Sequence, residues 1–259
     1  AQEQTLTIQQ AIKLAVEYHD AGDLHKAEGI YQQVLQADPE QPIALNLLGL
    51  VAHQVGKNNI AFNLITKAIA VRPDFVEAHT NLGTILQVLG QLNEAAASFK
   101  KAIFIKPDLA EAYSNLGNVL KDLKKGEEAV ASYKKAISIK PNLAEAHNNL
   151  GSALEEQGNL LEAVASYNKA LAIKPGYVEA YNNLGNAYKE LGMLNEALAN
   201  YNKALTIKSD YPEAHNNLGS SLQELGNLDA AVASYSEALD IKPNYAQAHL
   251  NLSYALLTS

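Results

Sequence analysis

Residues 144–177 read AEAHNNLGSALEEQGNLLEAVASYNKALAIKPGY. Ala146, Leu150 and Leu154 fall at helical spacing, and after Gly158-Asn159 so do Ala163, Tyr167, Ala170 and Ile173, which predicts two helices joined by a tight turn. The same pattern returns along most of the chain. Leu-Gly recurs at Leu48-Gly49, Leu82-Gly83, Leu116-Gly117, Leu150-Gly151, Leu184-Gly185 and Leu218-Gly219, always 34 residues apart. Ala61, Ala95, Ala129, Ala163, Ala197 and Ala231 keep that period, as do Ile65, Phe99, Tyr133, Tyr167, Tyr201 and Tyr235, and Pro73, Pro107, Pro141, Pro175 and Pro243. A fixed period of this size marks a solenoid, because one two-helix unit cannot bury its apolar face without neighbours. The expected fold class is all-α.

The period places an N-terminal lead-in at 1–7, a divergent first repeat at 8–41 with Ala15 in the glycine slot, and repeats at 42–75, 76–109, 110–143, 144–177, 178–211 and 212–245. Residues 246–259 repeat only the first, or A, helix. Capping boxes are expected at Thr7 to Gln10, Asp74 to Glu77, Asp108 to Glu111, Asn142 to Glu145 and Asp210 to Glu213. The second, or B, helices should end at Lys-Pro, where the cation complements the dipole and the ring stops propagation. The last helix keeps Leu252, Leu256 and Leu257 and so lacks the polar face of a terminal cap. That points to a chain continuing past Ser259 or to an end packed on a partner, and an initial Ala in place of Met points to a processed or shortened chain.

Several classes are disfavoured by composition. Asp and Glu number 28 against 20 Lys and Arg, a net charge of −8, which argues against nucleic acid as a partner. Cysteine is absent, so disulfides, thiolate metal sites and cysteine nucleophiles are excluded. No run of about 18 apolar residues is present to span a bilayer, and no export signal opens the chain. A cytoplasmic location is the expectation.

Tyr113, Leu116-Gly117, Leu120, Ala129, Tyr133 and Pro141 together resemble the pattern of the tetratricopeptide repeat family, W-x2-L-G-x2-Y, A-x3-F, P. The resemblance covers nearly the whole chain. It departs at the Trp slot, which holds His79, Tyr113, His147, Tyr181, His215 and His249, and at Ser209, which replaces a Pro. It implies a right-handed superhelical α-solenoid of about seven repeats plus a C-terminal helix, with the A helices lining the concave side.

Counted from the start of each A helix, positions 2, 6, 9 and 13 share a face. They are Glu111, Asn115, Asn118 and Asp122; Glu145, Asn149, Ser152 and Glu156; Glu179, Asn183, Asn186 and Glu190; and Glu213, Asn217, Ser220 and Glu224. The second repeat differs, with Ile43, Leu47, Leu50 and Gln54. Position 6 recurs as Asn81, Asn115, Asn149, Asn183, Asn217 and Asn251. Asn is a mediocre helix former, so six identical choices need a reason. An amide can pair with a peptide bond and grip an extended backbone without reading side chains. The competing reading is that tandem duplication copied a solvated position whose Asn bonds locally. Position 12 has drifted through Gln87, Lys121, Glu155, Lys189 and Gln223 while position 6 has not, which favours function. Glu at position 2 is better explained by capping than by contact with a ligand.

The uninterrupted Asn ladder is similar to the substrate-recognition superhelix of O-linked N-acetylglucosamine transferases and their relatives, which implies that Asn81 to Asn251 hold an acceptor polypeptide and that transfer occurs in a separate C-terminal region. Position 5 holds Asn46, Thr80, Ser114, Asn148, Asn182 and Asn216, so the carboxylate clamp of chaperone-binding repeats is missing. Expected peptide-binding residues are the six ladder Asn, Asn118 and Asn186 at position 9, and Asn148, Asn182 and Asn216. Acids beside the ladder predict a preference for neutral or basic peptides.

His79, His147, His215 and His249 occupy the aromatic slot one or two repeats apart, which argues against a metal site. Gly56, Gly90, Gly158, Gly192 and Gly226 are single turn residues and cradle no phosphate. The B-helix tyrosines read as core, and Lys100, Lys101, Lys134, Lys135, Lys169 and Lys203 as an ordinary solvated face. The expectation is a non-catalytic interaction scaffold with no cofactor, binding an extended polypeptide. The alternative is a module that self-associates end to end.

Overall fold

The computed structural model describes residues 6–258, and among these every regular element is a helix. They form two blocks, divided after Ile139. The N-terminal block holds four helical hairpins: α1 (Ile8–Asp20) with α2 (Leu24–Ala37), α3 (Pro42–Gln54) with α4 (Asn58–Val71), α5 (Val76–Val88) with α6 (Leu92–Ile105), and α7 (Ala110–Asp122) with α8 (Gly126–Ile139). The C-terminal block holds α9 (Ala144–Glu155) with α10 (Leu160–Ile173), α11 (Val178–Glu190) with α12 (Leu194–Ile207), α13 (Pro212–Glu224) with α14 (Leu228–Ile241), and the single α15 (Ala246–Thr258). Within each block a helix touches its hairpin partner, the next helix, and the helix two places on when both are A helices.

Each hairpin closes in the same way. In α9–α10 the Asn159 N–H donates to the Leu154 carbonyl and the Gly158 N–H to that of Glu155, with Gly158 at φ +77°, the left-handed end that glycine adopts without a Cβ penalty. The fourth repeat makes the identical turn with Lys124 at φ 61°.

The Leu-Gly glycine is a contact site. A Cβ on Gly117 or Gly185 would lie 2.5 Å from the ring of Tyr133 or Tyr201, and one on Gly83 2.8 Å from Phe99. Glycine in an exposed helix interior costs about 1 kcal/mol relative to Ala, and here that cost lets the B-helix ring approach the A-helix backbone closely. Around these contacts Ala15, Ala27, Tyr31, Leu48 and Val51 form one core cluster, Leu45, Ile65, Phe75 and Ile85 belong to a second, and Ala231, Tyr235 and Ala255 close the last hairpin.

The helix starts require one correction. The Thr7–Gln10 capping box is present in both directions, but the other four expected boxes are not. α5, α7, α9 and α13 begin one residue later than those boxes require, with Phe75, Leu109, Leu143 and Tyr211 at N-cap and no side-chain cap. Burying an apolar side chain such as Phe75, 8% exposed, is worth about 1.5–3 kcal/mol, more than the ~1 kcal/mol of a typical cap. The Asx residues therefore lie in the preceding turn. The glutamates still favour the positive end of the dipole, and Glu145 and Glu213 pair with Lys174 and Lys242 at 3.4 and 3.3 Å.

Candidate functional site: a row of asparagine amides

The Trp-slot histidines clip the loops. Nε2 of His79, His147, His215 and His249 lies 2.9, 3.0, 2.9 and 2.8 Å from the carbonyl oxygen of Pro73, Pro141, Ser209 and Pro243, so a ring N–H holds the connection from the preceding B helix. The described residues contain no group of three potential metal ligands.

Position 6 makes a specific contact. Nδ2 of Asn81 donates to Oδ1 of Asn46 (3.0 Å), Asn183 to Asn148 (3.2 Å), Asn217 to Asn182 (3.1 Å) and Asn251 to Asn216 (2.9 Å). Each of these four ladder amides thus braces against position 5 of the preceding repeat. The acceptors Asn46, Asn148, Asn182 and Asn216 are only 3–7% exposed, and a buried amide needs such a partner. Asn81, Asn115, Asn149, Asn183, Asn217 and Asn251 are themselves half-buried, at the surface of the A-helix layer. Of the predicted binding residues, Asn148, Asn182 and Asn216 therefore lie beneath that surface as struts, and the local bonding that competes with ligand contact runs both between repeats and within a helix, where Asn149, Asn217 and Asn251 accept from Asn148, Asn216 and Gln247.

Position 9 meets the core tyrosines. The Tyr133 hydroxyl donates to Oδ1 of Asn118 and that of Tyr201 to Oδ1 of Asn186, both at 2.8 Å. Asn186 also accepts from Nδ2 of Asn217 at 3.1 Å. Where position 9 is serine, the hydroxyl reaches position 12 instead: Tyr167 to Glu155, and Tyr235 to Gln223 at 2.8 Å. Burial, with the Glu155 carboxylate second, pushes the Tyr167 hydroxyl far above its ordinary value. The sequence reads these tyrosines as core; the signal that their hydroxyls reach the polar face is the alternation of Asn and Ser at position 9.

Three notches follow one another along the A helices of the C-terminal block. The first, about 280 Å³, lies between α9 and α11 and is lined by Ser152, Glu155, Glu156, Asn183, Asn186 and Glu190. A second of about 480 Å³ adjoins it, with Asn186, Lys189, Asn217 and Glu224 among its lining residues. The third, about 520 Å³, includes Ser220, Gln223, Asn251 and Tyr254. Lys189 bridges to Glu224 at 3.0 Å and donates to Ser220 Oγ at 2.6 Å. In the N-terminal block, Gln87 donates to Asp122 at 3.1 Å. The faces predicted polar are polar, and amide and carboxylate groups dominate them. No described helix is long and apolar enough to cross a membrane.

Comparison with known proteins agrees with this architecture. The pattern described as TPR repeat matches residues 88–124, 117–158, 154–192, 185–226 and 219–258, and the one described as tetratricopeptide repeat matches 12–58. No curated protein matches. Among solved structures, the chain is similar to one in the APC/C hetero-tetramer Cut9-Hcn1 (TM-score 0.78, 20% identity), over 93% of this chain and 48% of that one, so it spans about half of that relative. It is similar to YrrB, described as a TPR protein with an unusual peptide-binding site (TM-score 0.58, 24% identity, 72% and 96% covered), and to MamA (TM-score 0.58, 27% identity, 64% and 97% covered). Paired helices, glycine-on-ring contacts and matched patterns over most of its length together make this chain a member of the tetratricopeptide repeat family.

Proposed function

We propose that the chain is a protein-interaction scaffold that holds an extended polypeptide along its A helices, gripping the main chain through the position-6 amides. One observation carries this reading: Asn81, Asn183, Asn217 and Asn251 are fixed from below by buried struts yet remain half-exposed. Asn81 and Asn183, each with one N–H committed to a strut, keep a carbonyl and a second N–H, while the Asn217 and Asn251 carbonyls also accept from Asn216 and Gln247 and retain one lone pair each. Those are the two functions a peptide bond pairs with, and an amide already held in orientation loses less entropy on binding. YrrB, of similar fold, is described as binding peptide. The resemblance of the ladder to the O-linked N-acetylglucosamine transferases extends the proposal: the held polypeptide is an acceptor presented to a glycosyl-transfer region outside these repeats.

The test separates grip from strut. Replacing Asn149, Asn183 and Asn217 by Ala should weaken binding of unstructured peptides by at least about tenfold, roughly 1.4 kcal/mol, measured by fluorescence anisotropy. Replacing Asn148, Asn182 and Asn216 by Ser, the residue found at Ser114, cuts the struts and should lower stability more than affinity. Unchanged affinity in the first variant, with helicity retained, contradicts the proposal.

A further inference from the structure

The first and last notches of the C-terminal block are the same site two repeats apart. Ser152, Glu155, Glu156, Tyr167, Asn183 and Asn186 line the first, and the residues 68 positions on, Ser220, Gln223, Glu224, Tyr235, Asn251 and Tyr254, line the last. Serine stands at position 9 in both, whereas in the repeat between that position is Asn186, which takes the Tyr201 hydroxyl. Two differences alter the chemistry. Gln223 stands where the first notch has Glu155, and Tyr254 stands where it has Asn186, with Leu250 added to the wall.

Leu250 and Tyr254 lie one helical turn apart on α15 and are 65% and 61% exposed. α15 does not use them in its core, which it reaches through Ala248, Leu252 and Ala255. The counterparts of Leu250 in α9, α11 and α13 are the strut residues Asn148, Asn182 and Asn216. The notch is also poor in free charge: Glu224 is tied to Lys189 at 3.0 Å, Gln223 is neutral, and α15 carries no Asp, Glu, Lys or Arg, its His249 being held on the Pro243 carbonyl. Its floor still bears the row, since Asn251 is braced on Asn216.

We infer that this notch takes a bulky aliphatic or aromatic side chain of the polypeptide held along the row, and so sets its register. The inference rests on the polypeptide-binding reading. Continuity of the amide row into the notch, its apolar wall and its near-neutral lining favour this occupant over a cationic side chain. Neighbouring A helices sit about 10 Å apart, so two repeats span roughly 20 Å, or about six residues of extended chain at ~3.3 Å each. The ligand should therefore carry one large apolar residue, and about six residues from it a neutral or basic one over Glu155, Glu156 and Glu190.

Random peptides of about 12 residues, long enough to span two repeats, are selected on the whole chain. One that carries Phe is then compared by fluorescence anisotropy with its Phe→Ala counterpart. The Phe peptide should bind about tenfold more tightly. Leu250→Asn with Tyr254→Asn restores the residues of α11 at these exposed positions; it should abolish that discrimination and leave the Ala peptide unaffected. Asn149→Ala, Asn183→Ala and Asn217→Ala together should weaken both peptides. Discrimination that survives the α15 variant overturns the inference. So does sedimentation showing that the chain dimerises through Leu250 and Tyr254 while the variant discriminates as before, because the stripe is then an interface between copies. A chain that selects no peptide at all removes the polypeptide reading itself, and the anchor with it.

Discussion

At the scale of single residues, two side chains depart from the repeat in ways that fix a sign. Lys124 adopts φ 61° where the equivalent turns use glycine. Lys124→Gly should therefore raise the urea midpoint, by about 1 kcal/mol of relieved backbone strain, less the flexibility glycine adds to the unfolded chain. Tyr31 is fully buried and its hydroxyl finds no partner among the described residues, whereas the hydroxyl of Tyr133 reaches Asn118. Tyr31→Phe should thus be neutral or stabilising, and Tyr133→Phe should cost about 1 kcal/mol; equal losses from the two would contradict the assignment. The position-6 asparagines were visible from their recurrence, but their donation to position 5 was not. A pairing 35 residues away in sequence leaves no mark in the spacing of either residue.

Among elements, the hairpin depends on glycine meeting a ring. Gly185→Ala places a Cβ 2.5 Å from Tyr201, against a fully buried side chain that cannot swing aside, and overpacking of this kind costs about 1–3 kcal/mol. Thermal unfolding followed by circular dichroism should show that loss. The two helices of each hairpin, their turn and the glycine slot were legible because apolar spacing and the left-handed turn are local. The N-caps were not, because covering the apolar residue that follows each Asx, fully at Phe75 and partly at Leu109, Leu143 and Tyr211, outweighs a cap. Burial also pushes Tyr31 and Tyr211 up to about 12, aided at Tyr31 by Asp20 and at Tyr211 by Glu179 and Glu213. An unfolded tyrosine ionises near pH 10, so the folded chain keeps protons that the unfolded chain releases. Stability from these groups is complete below pH about 10 and declines as pH rises towards about 12. In an alkaline titration, the last tyrosinate absorbance should appear together with loss of helical signal; its appearance in a fully helical chain would contradict the burial.

On the scale of the molecule, repeat identity and all-α architecture came directly from the 34-residue period, because such an array is stabilised by nearest-neighbour interfaces of one kind. Less legible was the two-repeat alternation in which the core tyrosine hydroxyls reach Asn118 and Asn186 at position 9 but pass Ser152 and Ser220 to reach position 12, since it emerges only when the side chains are in place. The net charge of −8 and the carboxylates of Glu155, Glu156 and Glu190 along the row predict that a Lys-bearing peptide binds more tightly than its Glu-bearing counterpart. That gap should shrink as salt rises from about 0.05 M to about 0.5 M. The central claim, that the row grips main chain, is tested most directly by comparing one bound peptide with the same peptide N-methylated at alternate backbone amides. Loss of at least about tenfold in affinity, with side chains unchanged, is the predicted result; equal affinity of the two peptides would contradict it.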